Sequence, residues 1–165
     1  MRFQLLLLGF VLTLASCGYR MISPEVGGGR SIAVPTAVNA SAWHGIEVGL
    51  TSELRSDLQR QLDIRLKSDA TAEFTLNTEI EDVGRRDRVA LRSGGAALGL
   101  SQLSVKWELR DAKGLLLNSG LVTRNLEFLT DLGEDAFGAF DEIFVEISQQ
   151  IALEVGAALA QLEDA

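Results

Sequence analysis

The sequence has a single cysteine, a single histidine, two prolines and few aromatic residues, which make up 6% of the chain. One histidine cannot form a cluster of metal-binding histidines, and a Ser-His-Asp triad would have to run through His44. One cysteine excludes an internal disulfide, so packing must stabilise the fold. The run Gly27–Gly29 precedes a strand pattern and not a helix, which is atypical of a phosphate loop. The sequence therefore predicts no metal site, no cofactor and no catalytic residues.

Positive charge and long hydrophobic runs are also scarce. The chain has 15 basic and 23 acidic residues and a formal net charge of −8. Nucleic-acid binding depends on a basic face, so nucleic acid is not expected as a partner. The apolar run from Phe3 to Leu14 is shorter than the roughly 20 residues that a transmembrane helix needs.

That N-terminal run has the layout of a secretory signal peptide, with Arg2 ahead of it and small residues after it. The stretch Leu14-Ala15-Ser16-Cys17 resembles a lipobox, which predicts cleavage before Cys17 and acylation of its thiol and new N-terminus. A non-lipidated signal peptide cut nearby is the alternative. Removing 16 of the 165 residues leaves 149, the length of one domain. We predict a signal peptide at 1–16, a lipidated N-terminus and flexible tether at 17–29, and one α+β domain at 30–165.

Helical periodicity occurs twice in the predicted domain. Between Ile46 and Leu62 leucines recur every four residues with mostly polar residues between them, which predicts an amphipathic helix. A second helix is predicted to start at a capping box with Asp131 at the N-cap and Glu134 at N3. Apolar residues then recur at steps of three and four from Phe137 to Leu162.

Strand patterns occur four times, at Ser31–Pro35, Phe74–Glu81, Leu103–Arg110 and Leu115–Phe128. The last two flank a turn and are predicted to form an antiparallel hairpin, with Gly120 as a candidate bulge. The order is therefore β-α-β-β-β-α. Because each element has one apolar face, the simplest fold is an α+β two-layer sandwich. Both helices would pack on one face of a mixed sheet of about four strands.

A series of short motifs follows Cys17-Gly18-Tyr19 along the chain: Ile32-Ala33-Val34-Pro35, then Asn39-Ala40-Ser41, then Gly45-Ile46-Glu47 with Leu50-Thr51. This series resembles the N-terminal signature of the lipopolysaccharide-assembly lipoprotein family, LptE. The resemblance implies a non-enzymatic outer-membrane lipoprotein, anchored on the periplasmic face by acyl chains at Cys17. It also implies that the chain is the partner of an LptD-type β-barrel and assists lipopolysaccharide transport to the outer leaflet.

One basic cluster stands out in this acidic chain. Four arginines lie within eight residues: Arg85, Arg86, Arg88 and Arg92. The guanidinium fork matches phosphate oxygens, so a basic loop here suits the phosphates of lipopolysaccharide. The alternative is that these arginines prevent an exposed strand end from pairing with other chains, or dock on an acidic partner.

Two other functions remain open at this point. One is a lipid-anchored periplasmic binding or regulatory module for another envelope machine, such as an activator of a cell-wall synthase. The other is a small periplasmic hydrolase that uses the carboxylates of Glu79 and Glu81. At strand spacing, those two carboxylates are more typical of a solvated sheet face.

Overall fold

The computed structural model describes residues 26–90, 96–129 and 136–163. Within these ranges the chain forms six strands and two helices. The strands are β1 Arg30–Ala33, β2 Val38–Asn39, β3 Ile64–Leu66, β4 Phe74–Ala90, β5 Ala96–Asp111 and β6 Leu116–Leu129. The helices are α1 Ile46–Gln61 and α2 Ala136–Glu163. The predicted signal peptide, Cys17 and the capping box at Asp131 lie outside the described residues.

The strands form one mixed sheet in the order β3-β1-β4-β5-β6, with β2 also paired to β4. β1 pairs in parallel with β3 and β4, whereas β4, β5 and β6 form an antiparallel meander. β1 and β2 lie one after the other along the same side of β4, since Ile32 pairs with Phe74 and Val38 with Glu79. Pro35 lies between these two strands, where its lack of a backbone N–H interrupts no inter-strand hydrogen bonds.

The predicted α+β class with two helices and a mixed sheet is confirmed, but the strand number is wrong, because the sheet has six strands instead of about four. The missed strands, β2 and β3, are two and three residues long, too short to show an alternating pattern. β4 is also longer than predicted. A register shift between Ile80 and Asp82 interrupts the alternation, and the strand then continues to Ala90.

The prediction of a bulge at Gly120 is wrong as well. Gly120 pairs in regular register with Trp107, and the irregularity between β5 and β6 lies between Leu109 and Arg110. A Cβ on Gly120 would lie 2.7 Å from Nε1 of Trp107, so the glycine provides room for the indole. That indole N–H donates to the Glu154 carboxylate of α2 at 3.1 Å.

The helices and one sheet face share a single core. Its fully buried members include Leu50, Leu54 and Leu58 of α1, Ile147, Ile151 and Val155 of α2, and Leu76, Ile80, Val105 and Trp107 of the sheet. Burying each such side chain contributes about 1.5–3 kcal/mol. α2 lies against β5 and β6, whereas α1 packs chiefly against α2 and contacts the sheet at β3. The predicted placement of both helices on the sheet is therefore met in part.

α2 is the more apolar of the two described helices. Its segment Gly138–Leu162 is long and apolar enough to cross a membrane, with a mean hydropathy of 1.4. However, 56% of that window is buried inside the structure. A core helix passes the same test, so length and apolarity here are weak evidence for a membrane span.

Candidate functional site

The candidate residues lie at the two opposite ends of the sheet. We call the first the tether end: it contains Val26, which accepts a hydrogen bond from the Asp63 N–H at 2.9 Å, and the turn between β5 and β6. β4 runs away from this end, because Phe74 pairs with Asp111 near the turn and Arg86 pairs with Leu100. The path from Phe74 to Arg86 covers about 40 Å at about 3.3 Å per residue. We call the far end, with Arg85, Arg86, Leu100 and Phe128, the arginine end.

The four predicted arginines do not form one loop. Arg85, Arg86 and Arg88 lie on β4, because this strand continues to Ala90, and Arg92 lies outside the described residues. The side chains of Arg85 and Arg86 are both exposed. Neighbouring residues on a strand point to opposite faces, so these two guanidinium groups lie on opposite sides of the sheet. A single phosphate cannot be held by both.

Arg85 lies on the face that α2 covers. Its guanidinium carbon is 5.8 Å from the centroid of the Phe128 ring, a cation–π arrangement. Phe128 is buried and packs against Ala139 of α2. Its ring also lies directly over Gly99, where a Cβ would be 2.6 Å from Cε2. The position of Arg85 therefore depends on an aromatic ring that only a glycine can accommodate.

An aromatic row continues from this ring between the helices. Trp43 meets Phe140 edge to face at 5.3 Å, and Phe140 stacks on Phe144 at 6.4 Å. The Phe144 ring lies against Gly49 of α1, where a Cβ would be 2.9 Å from Cε2. Both helices therefore begin at the arginine end.

His44 lies just ahead of α1, in a shallow cleft of about 420 Å³ that it lines with residues including Phe140 and Asp141. Beside it, the Glu47 carboxylate accepts hydrogen bonds from the Gly45 N–H at 3.0 Å and from Nδ2 of Asn39 at 2.8 Å. The pKa of Glu47 is lowered, chiefly by its own backbone N–H and next by the Asn39 amide. His44 thus belongs to the loop that starts the helix. Among the described residues, no group of three or more His, Cys, Asp or Glu side chains is placed to hold a metal.

The two carboxylates considered for hydrolysis are not brought into one cleft. Glu79 pairs with Lys106 and lines a depression of about 130 Å³ whose lining does not include Glu81. Glu81 lies at the register shift of β4 and is exposed. The geometry of this pair is that of a solvated sheet face.

The sequence from residue 29 to residue 162 matches the family model for LptE, described as lipopolysaccharide-assembly. The chain belongs to the LptE family. This match confirms the resemblance carried by the N-terminal motifs. The LptE family comprises non-enzymatic lipoproteins of lipopolysaccharide assembly, and the chain is accordingly a lipopolysaccharide-assembly lipoprotein. Among curated protein sequences, none is significantly similar to this chain.

Several solved structures have the same fold as this LptE-family chain. Protein XCC0632 from Xanthomonas campestris aligns with a TM-score of 0.65 and 11% identity, covering 88% of this chain and 93% of that one. Protein CT253 from Chlamydia trachomatis aligns at 0.59 and 10% identity, covering 79% and 98%. The PelC dodecamer from Paraburkholderia phytofirmans aligns at 0.52 and 16% identity, covering 76% and 91%. At these identities the likeness shows the fold alone.

Two residues of this LptE-family chain at the arginine end escaped the sequence analysis. Phe128 ends the predicted strand Leu115–Phe128 with no contact assigned to its ring, and no role is predicted for Gly99. The available signal was a glycine inside a run of strand-forming residues, which often marks a close approach by a neighbouring group. Which ring approached it could not be known before β5 and β6 were paired in register.

Proposed function

We propose that the chain is an outer-membrane lipoprotein, acylated at Cys17, that serves as the partner of an LptD-type β-barrel on the periplasmic face. In this role it assists lipopolysaccharide transport to the outer leaflet. The family match over residues 29–162 is the observation that carries the proposal. Binding, and not catalysis, is the mechanism.

This role is supported by the positions of the tether and of the arginines at opposite ends of the sheet. From Cys17 to Val26 the chain reaches at most about 30 Å, at about 3.3–3.6 Å per residue. Because Val26 is held beside Asp63, the acyl chains at Cys17 would keep the tether end near the membrane. The arginine end would then be directed into the periplasm or toward the barrel. Anchoring and ligand contact are thereby assigned to opposite ends of one rigid sheet.

At the arginine end, we propose that Arg85, Arg86, Arg88 and Arg92 contact phosphates of lipopolysaccharide. Arg85 and Arg86 are exposed, and apolar Phe128 and Leu100 lie beside them on the two faces. An acylated, phosphorylated sugar presents both kinds of surface. Because β4 separates the two guanidinium groups, they would engage different phosphates.

The barrel partnership is tested by solubilising outer membranes in mild detergent and isolating the chain through a C-terminal tag. Recovery of a large β-barrel protein in stoichiometric amount is expected. Recovery of a cell-wall synthase instead would favour the regulatory alternative. A matched isolation after Val38→Asp, which places a charge on an exposed apolar residue of the outer sheet face, asks whether that face is part of the contact.

Replacing all four arginines by alanine should weaken lipopolysaccharide binding by the purified mature chain about tenfold. A charge-assisted hydrogen bond contributes about 1.5–3 kcal/mol, and solvent exposure reduces this contribution. Binding is measured by isothermal titration or by fluorescence of labelled lipopolysaccharide. Arg65→Ala is the control, since Arg65 belongs to the tether end and its Nε donates to the Gly29 carbonyl. Equal affinity of the quadruple variant and the control would exclude the arginines as the ligand site.

A further inference from the structure

The turn between β5 and β6 is closed by a set of hydrogen bonds centred on Asp111. Oδ1 of Asp111 accepts hydrogen bonds from the N–H groups of Lys113 at 2.9 Å and Leu115 at 2.8 Å. The Gly114 N–H donates to the Asp111 carbonyl at 2.9 Å, and Gly114 has the positive φ of 83° that the turn requires. Nη1 of Arg110 donates to the Gly114 carbonyl at 3.0 Å. These bonds fix the conformation of the tip.

This tip presents apolar surface to its surroundings. Leu115 is 63% exposed and Leu116 44% exposed, whereas the next residue, Leu117, packs against the core. Leu115 is hydrogen-bonded to Asp111 and Leu116 pairs with Arg110, so these neighbouring leucines extend from different sides of the tip and make both of its sides apolar. Lys113 lies beside them and is exposed.

The tip lies at the end of the molecule from which the tether leaves. β1 starts at Arg30 and runs parallel to β4, whose Phe74 pairs with Asp111. Only β4 and β5 separate β1 from β6, so the start of β1 lies roughly 15 Å from the tip, at about 4.8 Å per strand. The tether from Cys17 to Val26 is long enough to let this end touch the bilayer and too short to let the molecule turn end over end.

We infer that the β5–β6 turn is a second membrane contact. Leu115 and Leu116 enter the boundary between headgroups and acyl chains of the leaflet that carries the Cys17 lipids, and the Lys113 ammonium lies among the lipid phosphates. The inference rests on the anchoring at Cys17 in the proposed function. A short tether gives the tip a high effective concentration at the bilayer, so a weak apolar contact is sufficient. Its effect is to hold the tether end at the bilayer and to leave the arginine end free for the barrel partner and the ligand.

Binding of this surface to the bilayer depends more on apolar contact than on charge. The tether end has cations at Arg30, Arg65 and Lys113 but also anions at Asp63, beside Gly29, and at Glu73, which accepts a hydrogen bond from the Ser31 hydroxyl. The Asp111 carboxylate is engaged by the backbone of the turn. With such mixed charge, long-range attraction to an anionic bilayer is small, and the leucines provide the contact.

The test uses the full acylated chain in vesicles of phosphatidylethanolamine and phosphatidylglycerol at 3:1, without any other protein. Cys17 is the sole cysteine of the sequence and is blocked by acylation, so one introduced cysteine can be labelled specifically. A bimane label at Ala112→Cys on the tip is compared with one at Glu127→Cys on β6 at the arginine end. Both positions are exposed. Nitroxide-bearing lipids should quench the label at 112 at least threefold more than the label at 127.

Leu115→Ser with Leu116→Ser should at least halve the quenching at position 112. Vesicle flotation should remain complete, because the acyl chains still anchor the protein. Equal quenching at both positions in protein that floats overturns the inference while leaving the anchoring intact, as does quenching at 112 that the two serines do not change. Protein that fails to float shows that the anchoring at Cys17 is wrong and overturns the inference with it. Circular dichroism checks that the variant is folded, as expected for two exposed positions.

Discussion

Cys17→Ser is expected to move the chain from the membrane fraction to the soluble periplasmic fraction with its fold intact. Stable anchoring to a bilayer requires at least two acyl chains or an equivalent pair of signals. The serine variant has no thiol to acylate, and the described fold starts at Val26, beyond the altered position. The tip leucines alone are too small a contact to replace the lipids. Loss of membrane association should therefore be nearly complete, whereas the midpoint of thermal unfolding should not change.

Fractionation of cell envelopes, followed by detection of the chain in pellet and supernatant, measures this effect. Met21→Ser is the matched control, since it introduces a serine into the same tether and leaves the lipobox unchanged. The control should remain in the pellet. If the Cys17 variant also remains there after a high-salt wash, another surface must anchor the chain, and the assignment of the anchor to the acyl chains fails.

The helices were predictable because their signal is local and repeated. The leucines of α1 recur every four residues, and the structure buries Leu50, Leu54 and Leu58 in the core and ends the helix at Gln61, one residue before the predicted end. α2 is helical from Ala136 to Glu163, which agrees with the apolar spacing from Phe137 to Leu162, and its predicted N-cap at Asp131 lies outside the described residues. Each helix repeats its apolar spacing over at least four turns, so one atypical residue does not obscure the helical pattern.

The strands were harder to predict because their pairing is not local. β3 has only three residues, and it exists because Ile64 pairs with Arg30 across the sheet. β4 has a clear alternation up to Ile80, after which one extra residue changes the face of every side chain that follows. A pattern of period two ends at such a point, although the backbone hydrogen bonds continue.

The arginine cluster illustrates the same limit at the candidate site. Its composition was visible in the sequence, and so was its chemical suitability for phosphate. Its geometry was not, because the faces of Arg85 and Arg86 depend on the shift at Glu81 and on the packing of Phe128 under α2. Residue types predict which ligand a surface suits, but the register of the sheet determines which side chains can meet that ligand together.

The close approach of Phe128 to β5 leads to the largest stability effect that we predict. Gly99→Ala would place a methyl group 2.6–2.7 Å from Cε2 and Cε1 of the Phe128 ring. The ring cannot move outward, because it is 3% exposed and packs on Ala139. The backbone of Gly99 cannot move either, since β4 and β6 flank it on both sides. Overpacking of this kind costs about 1–3 kcal/mol, which urea denaturation of the mature chain can measure.

Gly84→Ala is the matched control on the adjacent strand. A Cβ there meets only the Cβ of Gln102 at 3.4 Å, and neither glycine has a positive φ. We expect this variant to be as stable as the original or slightly more stable, because alanine restricts the unfolded chain.

Phe128→Ala removes the ring, so adding Gly99→Ala to it should cause little further loss. A coupling of at least about 1 kcal/mol is therefore expected in this double-mutant cycle. Additive effects would mean that the alanine destabilises β5 by another route and that Phe128 does not lie over Gly99. Because the same ring lies under the Arg85 guanidinium, the cycle also tests the support on which the ligand-facing arginine depends.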